Sequence, residues 1–277
     1  MRQGRKKKAV KLLFIIIILT GILILLYPTV SNYIAEKQQE NVIVGYNTKI
    51  SETEQDVLER EWERAKEYNR NPENYKHVLN IRGDGVMGYI SIPEIDVNIP
   101  IYHSATESSL NKGIGHVEQT GLPIGGKGNH PVLTGHRGLP NAQLFTRLDE
   151  MEIGDLFFIY VLDKTLAYSV DQIKVVLPKE VEKIKAQRNR DIVTLVTCTP
   201  YGINSHRLLV RGTRIENVRP PLYVTTEAFQ IDSLLATPAV AAPILFVLFI
   251  VLMVKYRKPT GKKYKVEEIA YEKFEDE

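Results

Sequence analysis

The chain has 277 residues, 25% of them charged, with 36 Lys and Arg against 33 Asp and Glu for a formal net charge of +3. The basic excess sits in two terminal clusters, which speaks for lipid headgroups as partner and against nucleic acid. A single cysteine excludes an intrachain disulfide framework, and no Cys/His cluster has metal-ligand spacing, so neither a metal nor any other cofactor is expected.

Residues 1–8, MRQGRKKK, read as a basic cytoplasmic N-terminus. Residues 9–28 then form an apolar run in which only Lys11, Thr20 and Gly21 interrupt the pattern. With Lys11 snorkelling, the run reaches the roughly 20 residues of a bilayer-spanning helix. A cleaved signal peptide shares the basic start, but its apolar core would be ~7–15 residues, and TVSNYIA is a poor cleavage site. Length favours an uncleaved anchor.

Residues 29–78 are expected to hold one helix and a flap or linker. In SETEQDVLEREWERAKEYNRN, Ser51 and Glu54 suit a capping box, and Leu58, Trp62 and Ala65 make an apolar stripe at helical spacing. NRNPENYKHVLN then loosens the pattern, with Pro72 as a breaker.

Residues 79–215 change to short β-type runs: VMGYISIPEI, VNIPIYH, HPVLTGH, DLFFIYVL, LAYSVDQIKVVL, DIVTLVTCT and HRLLVRGTRI. Gly, Pro, Asn and Asp cluster between them. NAQLFTRLDEM suits one short helix, and GLPIGGKGNHP a surface loop. Around eight strands with few helices predict a mainly β fold, a closed or nearly closed barrel. Residues 216–233 form a proline-containing linker. Residues 234–254, LLATPAVAAPILFVLFIVLMV, supply a second apolar span, and 255–277 a tail that opens with a basic flank. Basic residues accumulate outside both spans, so the positive-inside bias puts both termini in the cytoplasm and residues ~30–230 on the extracellular face of the cell membrane.

Outside the membrane, the lone Cys198 is either a small buried side chain or a thiol kept for its reactivity. As a nucleophile it would need a partner for its proton. His136, in LTGHRG, ends a predicted strand much as Cys198 ends VTLVTC. Arg207 begins the next strand, and the turn TPYGINS is short enough to set it beside Cys198 on an antiparallel neighbour. A fixed guanidinium there could hold a developing oxyanion. Taken singly, each His and Arg also suits an ordinary surface role, and no carboxylate stands out as a third member.

TLVTCTPYGINSHRLLVRG, VLTGHRGLPNAQLFTRLDEMEIGD and NIRGDGVMGYISIPEIDVNIPIYH together resemble a class C sortase, the pilin-polymerising branch of the sortase family. The resemblance runs from about Leu79 to Arg214 and implies an eight-stranded sortase β-barrel with a few short helices, flanked by an N-terminal and a C-terminal transmembrane helix. It implies a cysteine transpeptidase with His136, Cys198 and Arg207 as its catalytic trio. Its substrates would be LPXTG-type pilin precursors, cut between Thr and Gly through a thioester and joined to a pilin lysine amine. A peptidoglycan-precursor amine, or water in a membrane-anchored cysteine protease, is the alternative acceptor. Thr134 and Thr197 are candidate substrate-lining residues, and His206 should point away from the site. One departure stands out. Class C relatives usually carry an Asp-Pro-aromatic lid, whereas RNPEN has Asn71 and Glu73 around its proline. Residues 68–78 are therefore expected to be mobile and Cys198 open to solvent.

Overall fold

The computed structural model describes residues 2–139, 142–181 and 184–216, with isolated positions 218, 246 and 249 beyond them and backbone alone over 2–14. Apart from those positions, the second apolar span, its linker and the basic tail lie outside the described residues. The first helix, α1, runs unbroken from Arg2 to Ser51. It does not stop near residue 28 as the sequence pattern implied, because Pro28 is accommodated within it. Residues 15–34 are largely unburied and apolar, long enough to cross a membrane. Further along, Gln39, Ile43, Tyr46 and Ile50 are buried at steps of four, three and four, a stripe of helical period. Each buried isoleucine contributes roughly 1.5–3 kcal/mol.

The expected capping box is not formed. Ser51 is the last residue of α1 and its hydroxyl donates to the Thr48 carbonyl at 2.8 Å. The next helix, α2, spans Gln55–Arg70 and starts from Glu54, which makes no side-chain cap. The expected stripe is present, with Leu58, Trp62 and Ala65 buried and joined by Tyr68. Glu61, also buried, accepts the Leu79 backbone N–H at 2.7 Å and tethers the chain that leads into the barrel.

Among the described residues, eight strands close a barrel. They are β1 (Val86–Ile92), β2 (Val97–Tyr102), β3 (Ile114–His116), β4 (Val132–Thr134), β5 (Leu156–Val161), β6 (Lys164–Val176), β7 (Ile192–Thr199) and β8 (His206–Ile215), in the order β1-β2-β3-β4-β7-β8-β6-β5. Seven match the expected runs; β3, three residues including a glycine, carries too little β-type pattern to be seen. NAQLFTRLDEM yields only a 3-10 turn over Leu148–Glu150 instead of a longer helix. Ile101, Ile114, Leu133, Phe157, Leu195 and Val210 are fully buried in the central core.

Strand directions define the two rims. β7 ends at Thr199 and β8 starts opposite it. β4 runs parallel to β7 with Thr134 beside Val196, so it ends at the same rim. β3 is antiparallel to β4, β2 parallel to β3 and β1 antiparallel to β2, which places the start of β1 at the opposite rim. α1 arrives there: Arg82 donates to the Val42 carbonyl at 2.8 Å. The Tyr46 hydroxyl donates to Met87 O at 3.2 Å and accepts from Leu162 N at 2.8 Å.

Residues 68–78 are not loose. Tyr68 and Tyr75 are buried, and the Tyr75 hydroxyl meets His116 Nδ1 at 2.8 Å and accepts from Ser104 N at 3.0 Å. Tyr68 donates to Glu118 O at 3.1 Å, and Asn69 accepts from Leu122 N at 2.7 Å. These contacts replace the expected mobility with a pinned connection at the rim where β1 starts.

His116 sits at the centre of this anchor. Burial pushes its imidazole down to about 4, against an ordinary 6.5, with the carbonyl of Gly121 opposing the shift and the charge of His103 adding to it. The unfolded chain takes up this proton near pH 6.5 and the folded chain only near 4, so stability is full above 6.5 and falls as pH drops through that window. The loss by pH 4 is on the order of 3 kcal/mol. Thermal melts at pH 7 and 4.5 should show a larger drop for the wild type than for His116→Gln. Equal drops would remove His116 as the source.

Candidate active site

The β7–β8 hairpin sets Cys198 directly opposite Arg207, and Thr199 opposite His206. Leu208 and Val210 point into the core, so Arg207 and, by pairing, Cys198 lie on the outer face of the wall. Both are half-buried. One Arg207 nitrogen, Nη1, donates to Asn204 O at 3.1 Å and His206 O at 3.0 Å, so turn carbonyls aim the guanidinium. His206 takes the neighbouring position of opposite parity, its Nδ1 2.9 Å from the Ser205 hydroxyl.

His136 comes from the end of β4. Gly135 N donates to Val196 O at 3.0 Å, which carries the β4–β7 pairing past the strand end and brings the His136 backbone level with the end of β7. Gly135 must be glycine: a Cβ there would lie 2.8 Å from the Phe145 ring and 2.9 Å from Ile114. After the histidine, Gly138 has φ +76°, and a Cβ on it would meet the Tyr201 ring at 2.9 Å. The His136 carbonyl accepts Phe145 N at 3.2 Å, and Gly138 N donates to Thr146 Oγ1 at 3.1 Å. The segment after β4 is thus held from both sides. His136, Cys198 and Arg207 converge on one rim, and among the described residues no group of His, Cys, Asp and Glu could hold a metal.

The two threonines separate. Thr134, half-buried, shares the strand parity of His136. Thr197 is 1% exposed, and its hydroxyl donates to Gly135 O at 2.8 Å. It therefore faces inward and fastens β4 to β7, so the expectation that it lines the site is corrected. Strand alternation beside an outward Cys198 explains the difference.

On the same outer face, further back along β7 and β8 from Cys198, lies a groove of about 290 Å³ whose lining includes Thr194, Leu209 and Arg211 together with Lys174, Glu180 and Lys185. Leu209 pairs with Val196 and Arg211 with Thr194, two and four residues before the cysteine. His130 closes part of it, its ring nitrogens 2.7 Å from Thr194 Oγ1 and 3.0 Å from Lys185 O; burial holds its pKa below the ordinary value. Sequence reasoning missed His130 and also Arg137, although the His-Arg doublet in LTGHRG was a visible signal.

The contacts that pin residues 68–78 are made with residues 103, 104, 116, 118 and 122, away from the Cys198 rim. Tyr75→Phe should therefore lower the melting temperature while alkylation of Cys198 stays within about twofold of wild type, since reactivity follows access and thiolate fraction. A tenfold rise would mean that this segment shields the thiol.

A sortase-domain family model matches residues 90–215. Sortase C1 of Streptococcus agalactiae is 40% identical, with a TM-score of 0.62 over 64% of this chain and 100% of that one. A sortase C of Streptococcus pneumoniae, described for its pilin substrate specificity, is 42% identical with a TM-score of 0.60 over 65% and 100%. Among curated proteins, sortase A of Bacillus anthracis is 28% identical over 75% of this chain and 95% of its own length. Full coverage of the solved class C enzymes at this identity, together with the barrel order and the cysteine on its rim, settles the family: the chain belongs to the sortases, in their class C branch, and is a cysteine transpeptidase.

Proposed function

We propose that this transpeptidase polymerises pili. Cys198 attacks the carbonyl between Thr and Gly of an LPXTG-like sorting signal lying in the groove over Thr194, Leu209 and Arg211. The C–N bond breaks, a thioester forms, and the Gly amine leaves with a proton from His136. His136 then takes a proton from an incoming pilin lysine amine, which displaces the thiolate and forms an isopeptide bond. Arg207 stabilises the oxyanion of both tetrahedral states, and Thr134 lines the path of the substrate. The observation that carries this reading is the direct pairing of Cys198 with Arg207 on a strand whose parallel neighbour, β4, ends two residues before His136 at the same rim. The likeness to solved class C sortases supports the pilin acceptor.

The N-terminal apolar helix supports membrane anchoring. In this reading the chain crosses the membrane twice, residues 79–215 form the extracellular catalytic domain, and both termini are cytoplasmic. The test is product identity. An LPXTG peptide offered with a pilin lysine, a wall-type amine and water together should give the lysine adduct by mass spectrometry. A wall-type adduct as main product would make the enzyme an anchoring sortase, and plain hydrolysis a protease.

A further inference from the structure

Arg137 follows His136 in sequence, yet its side chain is only 7% exposed and turns back into the protein. Its Nη1 donates to Thr199 Oγ1 at 3.1 Å, and Thr199 follows Cys198. Its Nη2 pairs with Asp149, in the 3-10 turn that succeeds the bracing segment around Phe145 and Thr146. The guanidinium carbon lies 5.9 Å from the centroid of the Tyr201 ring, the same ring that packs on Gly138. One cation therefore touches the strand of the nucleophile, the turn beyond it and the brace that holds the histidine segment.

We propose that Arg137 is a positioning residue that sets the distance between His136 and Cys198. The inference rests on the reading that these two residues act together. β4 and β7 are paired through backbone bonds only up to Gly135 and Val196. Beyond that point β7 stays paired with β8 through Thr199, while the chain after β4 is joined to β7 by side chains, the Thr197 hydroxyl on Gly135 O and Arg137 on Thr199. Without the Arg137 tie, His136 would sit past the last backbone bond between β4 and β7, while Cys198 is held from its other side by β8. Arg137 supplies that tie from the residue after the histidine to the residue after the cysteine. A planar guanidinium can span Thr199 and Asp149 at once, which a lysine ammonium cannot do with the same geometry. With its side chain buried it does not reach substrate, so its contribution is to keep the proton-transfer distance short; small misplacements of this kind cost large factors in rate.

The discriminating variants are at Thr199, where the tie is removed while the Arg137 guanidinium keeps its ion pair with Asp149. Thr199→Val keeps shape and loses the acceptor, whereas Thr199→Ser keeps the acceptor. With an LPXTG peptide and an amine acceptor, Thr199→Val should lower kcat about tenfold with KM unchanged. Alkylation of Cys198 and the melting temperature should stay at wild-type values, and Thr199→Ser should restore kcat. Arg137→Lys should be impaired as well, and Arg137→Lys with Thr199→Val no worse than Arg137→Lys alone, because both remove the same bond. Wild-type kcat in Thr199→Val, beside an inactive Cys198→Ala, would overturn the proposal and leave the catalytic reading standing. So would a loss that Thr199→Ser shares or that follows a fall in melting temperature. Turnover by Cys198→Ala would instead sink the catalytic reading on which the tie depends.

Discussion

Replacing Cys198 by alanine is expected to cut transpeptidation by roughly 10⁴-fold or more, as loss of a catalytic nucleophile does when no second group can take its place. No second thiol exists in the chain. The change removes one half-buried sulfur at the end of β7, outside the packed core, so the melting temperature should move little. Incubation with an LPXTG peptide followed by intact-mass measurement should show an acyl adduct on the wild type and none on the variant. An adduct of the same mass on Cys198→Ala would place the nucleophile elsewhere.

Arg207→Lys is expected to lower kcat about 100-fold, the scale of losing one oxyanion donor. In the native site one guanidinium nitrogen is held by the carbonyls of Asn204 and His206, and in the proposed mechanism the remaining donors serve the carbonyl under attack. A lysine ammonium bound to those carbonyls would be a point charge set back on its stem, and one released from them would lose its aim. Binding of the peptide should weaken less than turnover, because the oxyanion exists only in the tetrahedral states. Comparison of kcat with KM checks this, and a variant that changes KM alone would assign Arg207 to ground-state binding.

Much of the barrel was legible because its strands carry dense β-branched and aromatic runs between turn residues, and the β7–β8 hairpin followed from the short TPYGINS turn. The convergence of His136, Cys198 and Arg207 was legible for the same reason, since each stands at a strand end. β3 escaped because three residues give no period. Ser51 misled because a capping-box pattern also fits the last turn of a preceding helix, where its hydroxyl bonds Thr48 instead. The replacement of the Asp-Pro-aromatic motif was plain in RNPEN. Mobility did not follow from that replacement. Tyr75 is held by His116, 41 positions away, and such a contact leaves no trace in the local pattern. Thr197 was misjudged by counting sequence distance from the cysteine without the two-residue alternation of a strand.

The unbroken helix from Arg2 to Ser51 works as a rigid mast. With its apolar part in a bilayer up to about residue 30, Tyr46 stands about 24 Å further along the axis. At that level its hydroxyl is already bonded to β1 and to the end of β5. The helix reaches the barrel at the start of β1, and β8 runs back from the Cys198 rim to that same end. In the proposed membrane arrangement the thiol is thus carried on the rim opposite the helix contact at a set height, not on a swivelling tether. On the proposed function, a donor protein still rooted in the same bilayer would need a reach of at least about seven extended residues between the lipid surface and the bond to be cut. Donors with a shorter spacer would be excluded by length alone, whatever the fit of their signal to the groove.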